Sequence, residues 1–382
     1  MPITASPSPL ELTSRDTDLH RLHALLTAQQ ARKVDVVMSP RSLRAQDGHL
    51  LISGAEPLIS GNGVTDPNGR YLPTKACDSD VSAKLGIATA YLRKCRRDAV
   101  DLWDTNVNGW LDRAQDTNYL VRAFTGEAGR PGVARALLSD TYKRIDHLDV
   151  LTAAMQGIKD AGVPVEIQGC DLTEQRMYIR IFSPAVQVES PALTYDYRSP
   201  FTGMRGVDDP IVWGGFVIRN SETGAGAAVI EPRIIFKVCA NGQTITSHRQ
   251  RTVHLGGRID EGLVNWSEQT LARTLDLITS KTRDAVREFL RPEFVQEVIT
   301  SMEAKAGVPV TRPEETITTV SQNLRFTEEQ RELILDHFMM GAAMSAGGVM
   351  HAVTSAAQVV QDGDAAHDME SKALKALHLA AV

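Results

Sequence analysis

The densest cluster of chemistry-bearing side chains is YLRKCRRD, Tyr91 to Asp98, where Arg93, Lys94, Arg96 and Arg97 crowd beside an aromatic ring. Cations next to a ring suit a single-stranded nucleic acid, whose phosphates take the charges and whose bases stack on the ring. On a helix these four cations span two faces. A solvated helix end, where cations are favoured, is the simpler reading. Other cations fall on different segments. Arg122, Arg135, Lys143 and Arg144 lie on a strand-to-turn stretch with Tyr142, and Arg176 and Arg180 share a strand face with Tyr178. Arg233, Lys237, Arg249 and Arg251 belong to a central sheet, and Arg283, Arg287 and Arg291 make an i, i+4, i+8 helical stripe. Each alone reads as surface charge. Together they make a basic path only if the fold brings them into one groove, and spacing does not decide that.

Other chemistries find less support. SETGAG, Ser221 to Gly226, lacks the GxxxxGK[ST] pattern and joins two strands, so it reads as a hairpin turn. His337, His351 and His367, with Asp336, Asp364, Asp368 and Glu370, match no metal-ligand spacing. Asp196, Asp208 and Asp209 could hold Mg²⁺ in a nuclease but lack a partner motif. GxSxG and HExxH do not occur. We expect no cofactor and no catalytic constellation. Cys77, Cys95, Cys170 and Cys239 never form CxxC, which fits a reducing cytosol, and Cys239 in an apolar strand reads as core. No apolar run approaches the roughly 20 residues of a membrane helix, and MPITASPSPLELTSRD has no signal-peptide pattern. A cytoplasmic protein without a membrane partner is expected. Net charge is −6, so nucleic-acid binding must rest on a local patch.

The elements that position these residues are organised around Ile211 to Asn241. IVWGGFVIRN and AAVIEPRIIFKVCAN are β-branched strands joined by SETGAG, in which Gly224 and Gly226 are available for positive φ. Before them come a polar arm (residues 1–19), a helix from His20 to Ala31, and alternating strands from Lys33 to Leu58 with a hairpin at Asp47-Gly48. A helical stretch from Asp78 is split by Gly86 and capped by Asp78 or Ser79, and a further helix is capped near Asn108. Strands, the helix HLDVLTAAMQGIKDAG and the hairpin Val163 to Val188 follow. Asn265 and Glu268 have capping-box spacing ahead of the longest helix, and Thr327 with Gln330 repeats it in an Ala-rich tail. The order predicts α+β: a curved, mostly antiparallel sheet braced by a long helix, with an N-terminal mixed region and a C-terminal helical tail packed on the core. We divide the chain into 1–74 (arm and small β region), 75–308 (α+β core) and 309–382 (helical region).

Four blocks carry a resemblance. RNSETGAGAAVIEPRIIFKVCANG, ARALLSDTYKRIDHLDVL, KLGIATAYLRKC with NVNGWL, and GGVMHAVTSAAQ are similar, in this order, to blocks of the phage/plasmid-like protein family, domain of unknown function 932. The match runs from about residue 75 to 360. His147 and the pair Met350-His351 depart from it, standing where the family more often has Asn. The resemblance implies a mobile element of the actinobacterial phage or plasmid type, and implies no reaction. In outline the architecture is similar to phage single-strand annealing proteins, a likeness of fold alone. The expectation is a non-enzymatic, oligomeric protein that binds single-stranded DNA in recombination or replication. Its cations would be Arg93, Lys94, Arg96, Arg97, Arg135, Lys143, Arg144, Arg176, Arg180, Arg233, Lys237, Arg283 and Arg287, with Tyr91, Tyr142 or Tyr178 for stacking. The alternative is a protein-interaction factor used in host takeover or anti-defence.

Overall fold

The computed structural model describes residues 10–60, 63–114, 117–127, 129–246, 250–252 and 268–382. Strand β1 (Ser14–Thr17) and helix α1 (Leu19–Ala31) come first. Asp18 caps α1, accepting the Arg21 N–H at 2.7 Å. Six short strands follow: β2 (Lys33–Met38), β3 (Leu43–Gln46), β4 (His49–Ile52), β5 (Leu58–Ser60), β6 (Gly63–Thr65) and β7 (Gly69–Pro73). Alternation places Val34, Val36 and Met38 of β2 on the buried side. Asp47 and Gly48 sit at φ 51° and 74°, the pair of positive angles that a tight hairpin between β3 and β4 requires. Helices α2 (Lys75–Leu85), α3 (Thr89–Asp98) and α4 (Val100–Leu111) are followed by β8 (Tyr119–Phe124) and β9 (Gly132–Ser139).

Apart from β5 and β6, which pair only with each other, these strands form one sheet in the order β2-β8-β9-β7-β4-β3, antiparallel except where β7 lies beside β9. Leu92, Trp103, Val107 and Leu111 of α3 and α4 close its inner face against Tyr71 and Val121. The sheet therefore spans position 74: β7 lies before it, while β8 and β9 come after three helices. Two caps differ from expectation. Thr74 caps α2, its hydroxyl accepting the Cys77 N–H at 3.1 Å, because Asp78 is buried and paired with Arg96. Asn108 lies inside α4, and its amide bonds the backbone of Ala45 as acceptor at 2.8 Å and donor at 2.9 Å. That edge strand has free backbone groups, and the amide satisfies them.

The second unit is built from α5 (His147–Ala161), β10 (Glu166–Leu172), β11 (Met177–Glu189), the short α6 (Pro191–Thr194), β12 (Ile211–Asn220), β13 (Ala228–Phe236), β14 (Asn241–Thr244), β15 (Gln250–Thr252) and α7 (Glu268–Phe289). Its strands run antiparallel in the order β1-β10-β11-β12-β13-β14, with β15 also on β13. Part of the expected N-terminal arm is thus an edge strand, held by Arg15 at 2.6 Å from Asp171. In the turn between β12 and β13 the positive φ falls at Gly224, at 78°. Register aligns Ile179, Ile218 and Ile230 on the face packed against α5 and α7. Asn265, the proposed cap ahead of α7, and Arg249 lie outside the described residues.

Gly157 lets α5 and α7 approach closely. A Cβ there would sit 2.7 Å from the Thr282 Cβ and closer still to the Thr279 carbonyl oxygen. Gly157→Ala is expected to destabilise the protein by about 1–3 kcal/mol, the usual cost of overpacking, despite alanine's better helix propensity. Equilibrium urea denaturation checks this, and an unchanged midpoint would show that the helices part freely.

The chain closes with α8 (Pro292–Ala306), α9 (Pro313–Leu324), α10 (Glu328–Gly341), α11 (Ala346–Val359) and α12 (Gly363–Ala380). Thr327 and Gln330 form the expected capping box on α10. Val349, Met350 and Val353 of α11 and Met369 and Leu377 of α12 are enclosed in the same core as the second sheet. The α+β class and the helical C-terminal region stand as read from the sequence. Among the described residues, no helix is long and apolar enough to cross a membrane.

Candidate nucleic-acid interface

Helix α3 buries Leu92 and Cys95 and turns Arg93, Lys94 and Arg97 outward. Arg93 donates to the Lys75 carbonyl at 2.7 Å and the Ser79 hydroxyl at 2.8 Å, and meets no carboxylate among the described residues. Lys94 likewise has no ion pair among the described residues. Arg97 pairs with its neighbour Asp98 at 2.7 Å in solvent, a contact of little energetic weight. Arg96 differs: it turns inward, 2.7 Å from the buried Asp78. The two-face split expected on a helix is therefore a split of roles, with one cation structural and three displayed. Tyr91 stands beside them, 46% exposed.

Helix α4 adds a stripe that the sequence reading did not single out. Leu102 and Trp110 are exposed, and the Arg113 guanidinium lies 5.8 Å from the Trp110 ring centroid. The three-residue spacing of Trp110 and Arg113 was the available signal.

The remaining cations do not join this surface. Arg135 and Lys143 are buried, and Arg135 is paired with Glu222. Arg144 is half exposed, 4.0 Å from Asp35. Lys237 reaches Asp209 at 3.0 Å, and Arg283 pairs with Asp284. Arg287 donates to the Asp160 and Ala161 carbonyls at the end of α5, so it serves as a helix cap. Arg176, Arg180 and Arg233 lie on one face of the second sheet beneath α12. Arg176 meets Asp364 at 3.1 Å, Arg233 meets Glu370 at 2.7 Å, and Arg180 meets Asp171 and Asp16. Tyr178 is buried there too, donating to Asp364 at 2.7 Å, and Tyr142 donates to the Ser221 carbonyl. The single groove that would have joined these cations is replaced by internal ion pairing. A guanidinium taken out of water needs a carboxylate, and the fold supplies one from a distant element.

The densest such network lies where the two sheets meet. Arg122, fully buried, donates to Asp35 through two nitrogens at 2.9 Å, to Asp146 at 2.5 Å and to the Glu222 carbonyl at 2.9 Å. The Glu222 carboxylate accepts from Arg135 and from the His147 backbone N–H. Burial alone would raise the Glu222 carboxyl, but the two guanidiniums and that N–H outweigh it and hold it well below the usual range. Burial pushes the His147 imidazole down to about 4, so it is neutral, and its Nδ1 accepts from the Asn220 amide at 3.1 Å.

An open, polar cleft of about 520 Å³ lies at the end of the first sheet, lined by His49, Asp66, Arg70 and Arg130. Its charges are mixed, and Arg70 already sits 3.3 Å from Asp47. Among the described residues, no three His, Cys, Asp or Glu converge as a metal site. No family model, curated protein or solved structure matches the chain.

Proposed function

We propose that the chain is a nucleic-acid-binding protein of a phage or other mobile element, and that α3 grips single-stranded DNA during recombination or replication. The observation that carries this reading is the outward face of α3. In a chain of net charge −6, it concentrates Arg93, Lys94 and Arg97, two of them without a carboxylate among the described residues, beside an exposed tyrosine. The resemblance of the sequence blocks to phage and plasmid proteins supports the setting. The cations would hold the phosphates while Tyr91 stacks on one base and leaves its neighbours free to pair with a second strand. Action as a homo-oligomer in the bacterial cytoplasm belongs to the same proposal.

A second reading, a protein-interaction factor, is favoured by the exposed Val100, Leu102 and Trp110 on the adjoining helix. The two separate on one measurement. Fluorescence anisotropy with a labelled oligothymidine, over a salt series, compares the wild type with R93E/K94E/R97E. Arg96 stays in place, because reversing it would strand Asp78. Three lost phosphate contacts should lower the salt slope by about 2, at roughly 0.7 per contact for single strands. Absence of wild-type binding at low salt would sink the proposal and turn attention to the α4 stripe.

A further inference from the structure

The segment between α6 and β12 is a hairpin anchored to the core that displays two arginines and, at its tip, Phe201 with its ring 5.7 Å from that of His337. Tyr197 anchors it, buried and stacked on His351 with ring centroids 4.2 Å apart. The Arg198 N–H donates to the Gly341 carbonyl at 2.9 Å. Ser199 is buried, and its hydroxyl accepts the N–H groups of Phe201 and Thr202 at 3.3 Å. Gly203 closes the turn at φ 73°, donating to the Ser199 carbonyl at 2.9 Å. Ser199 N–H to Met204 carbonyl (2.9 Å) and Gly206 N–H to Tyr197 carbonyl (2.8 Å) then bracket an antiparallel bridge between Arg198 and Arg205.

That bracketing makes Arg198 and Arg205 a narrow, non-hydrogen-bonded pair, with side chains on the same face and Cβ atoms about 4.5–5.5 Å apart. Both are exposed, and neither side chain has a hydrogen bond or ion pair among the described residues. The carboxylates of the same loop do not neutralise them: Asp209 goes to Lys237, and among the described residues the Asp196 and Asp208 side chains bond neither arginine, Asp208 meeting Arg205 only through its backbone N–H on the Arg205 carbonyl. Like charges facing each other destabilise a strand pair. Here a well-anchored hairpin holds two of them together, with Phe201 at its tip 45% exposed. The buried guanidiniums of Arg122, Arg135, Arg180 and Arg233 are matched to carboxylates, whereas this exposed pair meets none among the described residues.

We propose that Arg198 and Arg205 clamp a phosphate of a single-stranded nucleic acid and that Phe201 stacks on the adjoining base. This rests on the reading of the chain as a single-strand binder, and adds a second contact, on a different element from α3. Guanidiniums recognise phosphate oxygens by paired N–H donors, and an anion seated between them removes their mutual repulsion. A free phosphate explains the arginines but not the ring, whereas a strand supplies phosphate and base side by side.

Anisotropy with labelled oligothymidine, a labelled strand of abasic sites and labelled polyglutamate tests this, using wild type, R198A/R205A, F201A and R93E/K94E/R97E. R198A/R205A is expected to bind oligothymidine about tenfold more weakly, with a salt slope lower by about 0.7 for the one phosphate they share. F201A should lose about fivefold or more on oligothymidine and nothing on the abasic strand. Melting of R198A/R205A should match or exceed wild type, and a lower melting temperature would assign the pair a structural role and overturn the proposal. If R198A/R205A binds like wild type while the α3 variant is weak, the clamp is wrong and the single-strand reading stands. If wild type binds no oligothymidine, both fall. Polyglutamate binding lost in R198A/R205A would then assign the pair to an acidic peptide.

Discussion

Glu222→Ala is expected to cost about 3–5 kcal/mol of folding free energy, the range for removing one partner of a buried ion pair. Glu222 lies in the β12–β13 loop, yet it receives Arg135 from the first sheet and the His147 N–H from the start of α5. Its loss leaves the Arg135 guanidinium, which packs 4.3 Å from the Phe124 ring centroid, inside the protein without a counter-charge. It also leaves a buried N–H without its acceptor, adding to the cost. The effect should be non-additive. Arg135→Met alone takes from the carboxylate its arginine partner and leaves it the His147 N–H, but the double variant E222A/R135M removes both charges and should lose less than the sum of the single losses. Urea denaturation of the four proteins checks this. Single effects that add to within about 0.5 kcal/mol would show that the two side chains are not coupled.

The second large effect is in the response to acid. His351 is fully buried between the rings of Tyr197 and Phe236, donating from Nε2 to the Leu193 carbonyl at 2.8 Å. Its Nδ1 has no partner among the described residues, so a second proton there would be a buried, unpaired charge. Burial lowers this imidazole to about 4, against an ordinary value of 6.5. The unfolded chain therefore takes up a proton at higher pH than the native state. Stability from this group is complete above pH 6.5 and is lost as pH falls from 6.5 towards 4. The full loss is about 3 kcal/mol, at 1.36 kcal/mol per pH unit. Asp80 works in the opposite sense, since burial raises its carboxyl to about 7 and it favours the native state as pH falls below that value. The wild-type curve alone would mix these. His351→Gln isolates the histidine: its deficit relative to wild type should shrink by about 3 kcal/mol between pH 7 and 4. A deficit constant across that range would mean that His351 takes up its proton over the same pH range in the native and unfolded states, and would overturn its burial as a neutral group. His147, also buried and lowered to about 4, should behave in the same way.

Both histidines prove to be core residues. Nothing local distinguishes them from ligands: His147 opens a helix and His351 lies within one. What makes them neutral is the set of elements folded over them.

The elements themselves were legible because their signals are short-ranged. Asp47-Gly48 and Gly86 punctuate the chain through φ angles that glycine or a turn residue adopts, and both are found where expected, at 51° and 74° and at 67°. The alternation of Met177, Ile179 and Ile181 with Tyr178 and Arg180 encodes the two faces of β11. The capping box at Thr327 needs only residues three apart. Caps failed where a more distant partner competed, as with Asp78, taken by Arg96, and Asn108, taken by Ala45.

From the sequence alone follow the α+β class, the central hairpin, the helical C-terminal region and the presence of an aromatic beside four cations at Tyr91 to Arg97. Tertiary structure decided which charges face water. Arg96 and Arg97 are neighbours, yet one meets Asp78 in the interior and the other stays in solvent. Arg233 meets Glu370 across 137 positions of chain, and Arg198 meets Arg205 only because a hairpin folds them opposite each other. A side chain's charge is a property of its residue. Its counter-charge and its solvation are set by whatever the folded chain brings within a few ångströms, and no local pattern encodes that distance.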